Sequence, residues 1–257
     1  MREVLTLFSL LFGLCLGSFA NVCIYRLPRK ISIITPASFC PSCGKKLKWY
    51  HNIPLLSFFL LKRRCAYCGE KISFLYPIVE GLSGIISLIL FKKFGFSLEY
   101  LIYLLFCLSM IIVFFIDLYH YIIPNIITFS GIGAGILLLL FSPLLPRKDM
   151  FLGAIIGGAM FGGVSLLYYL LTKKVGLGEG DIKLIFMMGF FIGIKGVLFV
   201  ILLGSISGAL IGSIYLLFSK KGMKEPIPFG PFLSFSAVLF VLIPERFLAP
   251  IFRLSIF

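Results

Sequence analysis

Eight apolar runs, separated by short segments everywhere but at 25–76, dominate this chain: 4–24, 77–92, 99–117, 125–145, 150–172, 182–194, 196–219 and 229–250. A membrane-spanning helix needs about 20 mostly apolar residues, and most of these runs meet or approach that length. Composition agrees, since 60% of the 257 residues are hydrophobic and 13% are charged. One aqueous core cannot hide so much apolar surface. A soluble globular domain, a disordered tail and a disulfide-rich secreted module are therefore excluded. The expected fold is an all-α polytopic membrane protein with about eight transmembrane helices, in contact with membrane lipid. The run 182–194 is short and holds Gly189 and Gly193, so seven spans is the alternative.

The formal charge is +14, from 24 Lys and Arg against 10 Asp and Glu. In a soluble protein that balance points to nucleic acid. Here the basic residues flank spans and fix their orientation, and no nucleic-acid partner is expected. The first run is too long for a typical signal-peptide core, and Arg26, Arg29 and Lys30 follow it. That order puts the N-terminus outside and segment 25–76 in the cytoplasm. With eight spans, sixteen basic residues fall on the cytoplasmic side: ten in 25–76, then Lys173, Lys174, Lys183, Lys220, Lys221 and Lys224. Eight fall outside: Arg2, Lys92, Lys93, Arg147, Lys148, Lys195, Arg246 and Arg253. The chain is accordingly read as a first transmembrane helix (1–24), a cytoplasmic loop domain (25–76) and a transmembrane domain (77–257).

Of the seven cysteines, Cys15, Cys23 and Cys107 lie on or at the ends of apolar runs and read as small buried hydrophobes. The other four form Cys40-Pro-Ser-Cys43 and Cys65-Ala-Tyr-Cys68, both in the basic loop. Two Cys-x-x-Cys knuckles suit a closed tetrahedral thiolate site for a structural zinc. Gly44 and Gly69, directly after each pair, permit the tight turn that aims backbone N–H groups at sulfur. The rival readings are a redox pair and two disulfides. Disulfides are disfavoured in a cytoplasmic loop, and a redox pair needs no second knuckle. A zinc ion would fold a segment too small to hold itself together.

With ten acids, each can be inspected. Glu3, Glu99, Asp149, Glu225 and Glu245 sit at run ends or in short loops and read as solvated or interfacial. Glu70 adjoins the last knuckle and Glu80 starts the second run. Asp117 closes the third run, and Glu179 and Asp181 lie in Gly178-Glu179-Gly180-Asp181-Ile182-Lys183, which opens the sixth. Charge near membrane depth is costly, so an ionisable group there marks function by default. Two spans separate Asp117 from Asp181, and two separate the knuckle loop from Asp117, so all three share one membrane face. Two adjacent carboxyls do not both ionise easily. Such a pair takes a proton from water while giving one to a scissile carbonyl, as aspartic proteases do. Gly178 and Gly180 allow a tight turn and leave room for an extended peptide. The alternatives are a helix-capping role for Asp181 with an interfacial Asp117, or a proton- or ion-coupled transporter built on the same carboxylates.

These residues, taken in order, resemble the bacterial type IV prepilin peptidases. The matching parts are Gly17-Ser18-Phe19-Ala20-Asn21-Val22 with Tyr25-Arg26-Leu27-Pro28, and the two knuckles around Trp49-Tyr50-His51-Asn52-Ile53-Pro54. They continue with Tyr76-Pro77-Ile78-Val79-Glu80, Asp117 before Ile123-Pro124, Gly178-Glu179-Gly180-Asp181 with Lys183, and Ile227-Pro228-Phe229-Gly230-Pro231. The resemblance covers nearly the whole chain. It implies an inner-membrane aspartic endopeptidase with Asp117 and Asp181 as its catalytic pair, so that 77–257 is the peptidase domain. It implies removal of the leader of type IV prepilins or pseudopilins on the cytoplasmic side, after a Gly. It also implies methylation of the new N-terminal residue by S-adenosylmethionine. Two positions depart from the family's habit: His51, where an acid is common, and Asn125, where Asp is common. The leader is basic, so Glu179 and Glu80 are candidate substrate-binding residues. For Glu80 the other reading is a hydrogen bond to loop backbone. Lys183 either tunes the aspartate or snorkels to the interface.

Overall fold

The computed structural model describes residues 2–141, 144–174, 176, 178–218 and 227–244. The basic residues at 220, 221, 224, 246 and 253, Glu225, Glu245 and the run ends at 142–143, 219 and 245–250 lie outside the described residues. The described chain is helical, with two isolated β-bridges and no strand. Its helices are α1 (Arg2–Arg26), α2 (Leu56–Leu60), α3 (Leu75–Phe94), α4 (Leu98–His120), α5 (Asn125–Phe141), α6 (Arg147–Thr172), α7 (Glu179–Phe218) and α8 (Gly230–Leu242). Five of them, α1, α3, α4, α6 and α7, are long and apolar enough to cross a membrane, and α5 and α8 are shorter apolar helices. The third apolar run therefore continues one turn past Asp117 to His120. The chain divides into two compact units, 1–112 and 113–257.

In the first unit α1 packs along α3 through small residues. A methyl group on Gly13 would strike Ser87 and Ser83, and one on Gly17 would strike Glu80 and Ser83. Small residues four apart let helix backbones approach closely where no hydrophobic gradient drives association. Ser87 donates to Ser9 O at 2.6 Å and lies 2.8 Å from the Tyr100 hydroxyl, so the seam also carries buried hydrogen bonds. Cys23 and Cys107 are buried, as their surroundings predict, but Cys15 is exposed on the surface of α1.

In the second unit α6 packs on α7, which is one continuous element by hydrogen bonding but not by direction. Gly193 has φ 63° and ψ −170°. A methyl group on Gly157 of α6 would meet both Val197 Cγ1 at 3.1 Å and Ile185 O at 3.2 Å. Twelve residues of straight helix would hold those atoms about 18 Å apart, so the chain doubles back at Gly193. A left-handed φ is easy only for glycine. The two limbs, 179–192 and 194–218, correspond to the sixth and seventh apolar runs. Asp149 Oδ1 accepts the Ile194 N–H at 3.1 Å, capping the start of the second limb. The reading of Asp149 as merely interfacial is thereby corrected: its carboxylate ties α6 to the reversal.

Candidate active site and metal centre

Asp117 lies in the last turn of α4, 5% exposed. Its Oδ2 accepts the Gly230 N–H at 3.0 Å, at the start of α8. Gly230 is required there, because a Cβ would stand 2.6 Å from that same oxygen. The N-terminal end of α8, with its partial positive charge, thus meets the carboxylate through backbone alone. Asp181 lies in the first turn of α7. Ile123 joins the two sides: a Cβ on Gly230 would lie 3.2 Å from its Cδ1, and one on Gly180 would lie 3.0 Å from its Cβ. Ile123 thus stands against both Gly180, the neighbour of Asp181, and Gly230, the residue that donates to Asp117. Asp181 N donates to Gly178 O at 3.1 Å, and a Cβ on Gly178 would lie 3.1 Å from Asp181 Oδ2. Asp181 Oδ1 is buried without a hydrogen-bond partner. No helix-capping hydrogen bond occupies that atom.

The neighbouring polar residues divide. Lys183 pairs with Glu179 at 3.3 Å, one turn apart on α7, and stands 5.7 Å over the Phe129 ring. Its charge therefore faces Glu179 rather than Asp181. Glu179 is exposed, with 85% of its side chain accessible. Glu80 belongs to the first unit and is buried; its Oε2 accepts the Leu55 N–H at 2.8 Å. Leu55 has φ 59°, a strained value for a branched residue, and the Glu80 bond holds that turn. Of the two roles read for Glu80, the backbone bond is present. In the sequence Gly230 and Ile123 stood only as parts of the family match, and Asp149 as a solvated or interfacial acid. The signal available for Gly230 was its position between Phe229 and Pro231 at the head of an apolar run.

The four loop cysteines converge. Sγ atoms of Cys40, Cys43, Cys65 and Cys68 all lie within 4.8 Å of one another, and Cys40 and Cys68 are 3.9 Å apart. A tetrahedral ion with metal–sulfur bonds of about 2.3 Å implies sulfur–sulfur edges of about 3.8 Å, so the donor set fits a metal ion. All seven cysteines are free thiols. The knuckles repeat one geometry. Gly44 N donates to Cys40 O at 2.9 Å and Gly69 N to Cys65 O at 3.0 Å. Cys40 N donates to Lys45 O and Cys65 N to Glu70 O, and bridges pair Phe39 with Lys46 and Arg64 with Lys71. The backbone N–H groups of Cys68 and Tyr67 pull the Cys65 thiol down, while, against the pull of the Glu70 N–H, burial and the neighbouring sulfurs push the Cys68 thiol up, as expected of thiols crowded around one point. Arg26, at the end of α1, is 3% exposed and donates to Ser32 O, Pro36 O and Ala37 O at 2.9, 2.8 and 3.2 Å. It thereby shapes the segment that leads into the first knuckle.

Five helices long and apolar enough to cross a membrane, with Asp117 and Asp181 each at a helix end beside Ile123, define the class: a helical protein of membrane type. Comparison with known proteins narrows that class. Residues 11–94 match the Bacterial Peptidase A24 N-terminal domain, and residues 104–213 match the Type IV leader peptidase family. The relatives include prepilin leader peptidase/N-methyltransferases of Myxococcus xanthus, Xanthomonas campestris pv. campestris and Legionella pneumophila. The first is 39% identical over 82% of this chain but 63% of its own length. The second and third are each 34% identical, over 86% and 89% of this chain and 85% and 88% of their own lengths. No solved structure gives a significant match. The chain belongs to the type IV leader peptidase family.

Proposed function

We propose that this protein is a membrane-embedded aspartic endopeptidase that removes the leader of type IV prepilins or pseudopilins, then N-methylates the new N-terminal residue. The observation that supports this reading is that Ile123 stands against both Gly180, beside Asp181, and Gly230, whose N–H is held by Asp117. Family membership supports a peptidase over an ion-coupled transporter.

Hydrolysis follows from the pair. The Gly230 N–H occupies Asp117 Oδ2, so Asp117 presents its other oxygen to the reaction, and Asp181 presents Oδ1. One carboxylate takes a proton from water as the oxygen attacks the scissile carbonyl carbon. The other carboxyl gives its proton to the carbonyl oxygen. Collapse of the tetrahedral species breaks the C–N bond, and the leaving amine takes up a proton. Gly178 and Gly180 keep side chains away from the extended peptide. The mature part of a prepilin is an apolar helix that packs laterally against these spans, and the exposed Glu179 faces the basic leader.

The chain would cross the membrane eight times, through α1, α3, α4, α5, α6, both limbs of α7, and α8. Basic residues of the loop 25–76 keep that loop in the cytoplasm, with the active site on the same side of the inner membrane. Cys40, Cys43, Cys65 and Cys68 would hold one structural zinc; four thiolates leave it no open position. S-adenosylmethionine would supply the methyl group to the freed amine. The test is to incubate purified protein with a prepilin peptide and S-adenosylmethionine and to read product masses. The expected product is the mature peptide one methyl heavier. Efficient cleavage by Asp117→Asn or Asp181→Asn would remove the aspartyl mechanism.

A further inference from the structure

A cavity of about 330 Å³ opens in the first unit between α1 and the segment leading into the first knuckle. That volume is in the range of small-molecule sites. Phe19 and Val22 of α1, Ile34, Ser38, Asn52 and Arg26 line it. None of these belongs to the carboxyl pair or to the cysteine cluster.

Arg26 is the unusual wall. A guanidinium has five N–H donors. Three are used: Nη1 donates to Ser32 O and Pro36 O, and Nη2 donates to Ala37 O. Nε–H and one Nη2–H remain, the fork that grips a carboxylate side-on. Among the described residues no carboxylate pairs with this buried cation. The charge faces neutral carbonyls and the Phe39 ring, whose centroid lies 5.5 Å from Cζ; without a counter-ion it is incompletely compensated, and it stands beside a cavity. Phe19 and Val22, on the same face of α1 as Arg26, and Ile34 add apolar surface for a flat ring. Ser38 and Asn52 add polar groups, Asn52 Nδ2 lying 3.4 Å from Ser38 Oγ. One small molecule joins a carboxylate to a purine in this way and is already required by the proposed methylation. Ser38 also ties the cavity to the knuckle: its carbonyl accepts the Leu47 N–H at 2.8 Å, two positions before Cys40.

We infer that this cavity is the methyl-donor site, with Arg26 holding the carboxylate of S-adenosylmethionine. The assignment rests on the methyl-transfer reading of the preceding subsection and adds to it a location and a recognition residue. It also predicts that a closed metal site with no open ligand position would act on methylation indirectly, through the Ser38 wall that the first knuckle holds.

The test is isothermal titration of the full-length protein in nanodiscs with S-adenosylhomocysteine, which binds without turning over. Arg26→Lys keeps the charge but loses the fork. Val22→Phe fills the cavity from α1 and leaves every Arg26 bond in place. Zinc content and the thermal midpoint report folding for each variant. Wild type should bind about one equivalent, and each variant should bind at least tenfold more weakly. Binding of both variants within twofold of wild type overturns the assignment while leaving the methyl-transfer reading intact. If Arg26→Lys loses its zinc, Val22→Phe decides alone: weakened binding supports the cavity, and unchanged binding sinks it. No binding by wild type overturns the methyl-transfer reading, and this assignment with it.

Discussion

Cys40 and Cys65 each open a turn whose hydrogen bonds close within five residues, whereas Asp117 is fixed by Gly230, 113 positions further along the chain. The knuckle loop is built from local turns. Around it Ile34, Trp49, Phe59 and Leu60 are exposed, at 84, 80, 69 and 72%, so packing contributes little to its order. The carboxyl site is built from helix ends brought together by packed spans: Ile116, Leu184, Ile185 and Leu233 are fully buried. A loop of the first kind depends on its cross-link. A site of the second kind depends on close approach and tolerates no added atom.

The largest expected effect tests whether the two regions fail separately. Asp181→Asn should lower cleavage by about 10³-fold or more, since an amide neither takes nor gives the proton. Methylation of a peptide supplied already cut should survive. If it is lost as well, the two activities share one site. Metal removal is the mirror experiment. Chelation, or Cys43→Ser with Cys65→Ser, should speed hydrogen exchange across 38–72 by roughly 100-fold and suppress methylation, while the 113–120 amides stay protected. Unchanged exchange in the loop would mean that it folds without a metal.

Gly230→Ala sharpens the second half of the comparison. The added methyl must displace the Asp117 carboxylate, and a misplacement of that order lowers kcat by about 10- to 100-fold, with expression and insertion unchanged. Gly230→Ala cleaving at the wild-type rate would show that Asp117 does not need the α8 contact. A smaller effect is expected at Asp149. Asp149→Ala removes a helix cap and should destabilise the second unit by about 1–2 kcal/mol, read as a lower thermal midpoint with active protein below it. Smallest is Lys183→Ala. Its pair with Glu179 is exposed, and cleavage should change less than about threefold; a larger loss would mean that the lysine acts on Asp181 after all.

What the sequence made legible follows the same division. Knuckle chemistry is written in spacings of three residues, and the spans in runs of apolar residues, so both could be read along the chain. The aspartates were found by scarcity, because few acids lie near membrane depth, and by counting crossings. Contacts between distant segments left no such trace. Asp149 looked interfacial because its partner, Ile194, is 45 residues away. Glu80 could be weighed only as substrate-binding or loop-binding until Leu55 was found on its carboxylate. Arg26 read as one more positive charge flanking a span, and nothing in the neighbouring sequence marks it as buried.

The reversal at Gly193 bears on the bilayer itself. The limb that begins with Asp181's turn ends at residue 192, a length of about 21 Å, against a hydrocarbon core of about 30 Å. In the proposed eight-span arrangement the mismatch would be relieved by local thinning of the membrane or by sinking the limb's ends below the headgroup plane. Either way Asp181 would lie closer to the lipid's midplane than the end of a full-length span. A charged leader then travels less far through hydrocarbon to reach the aspartates, and reaction rates should depend on the acyl-chain length of the surrounding lipid.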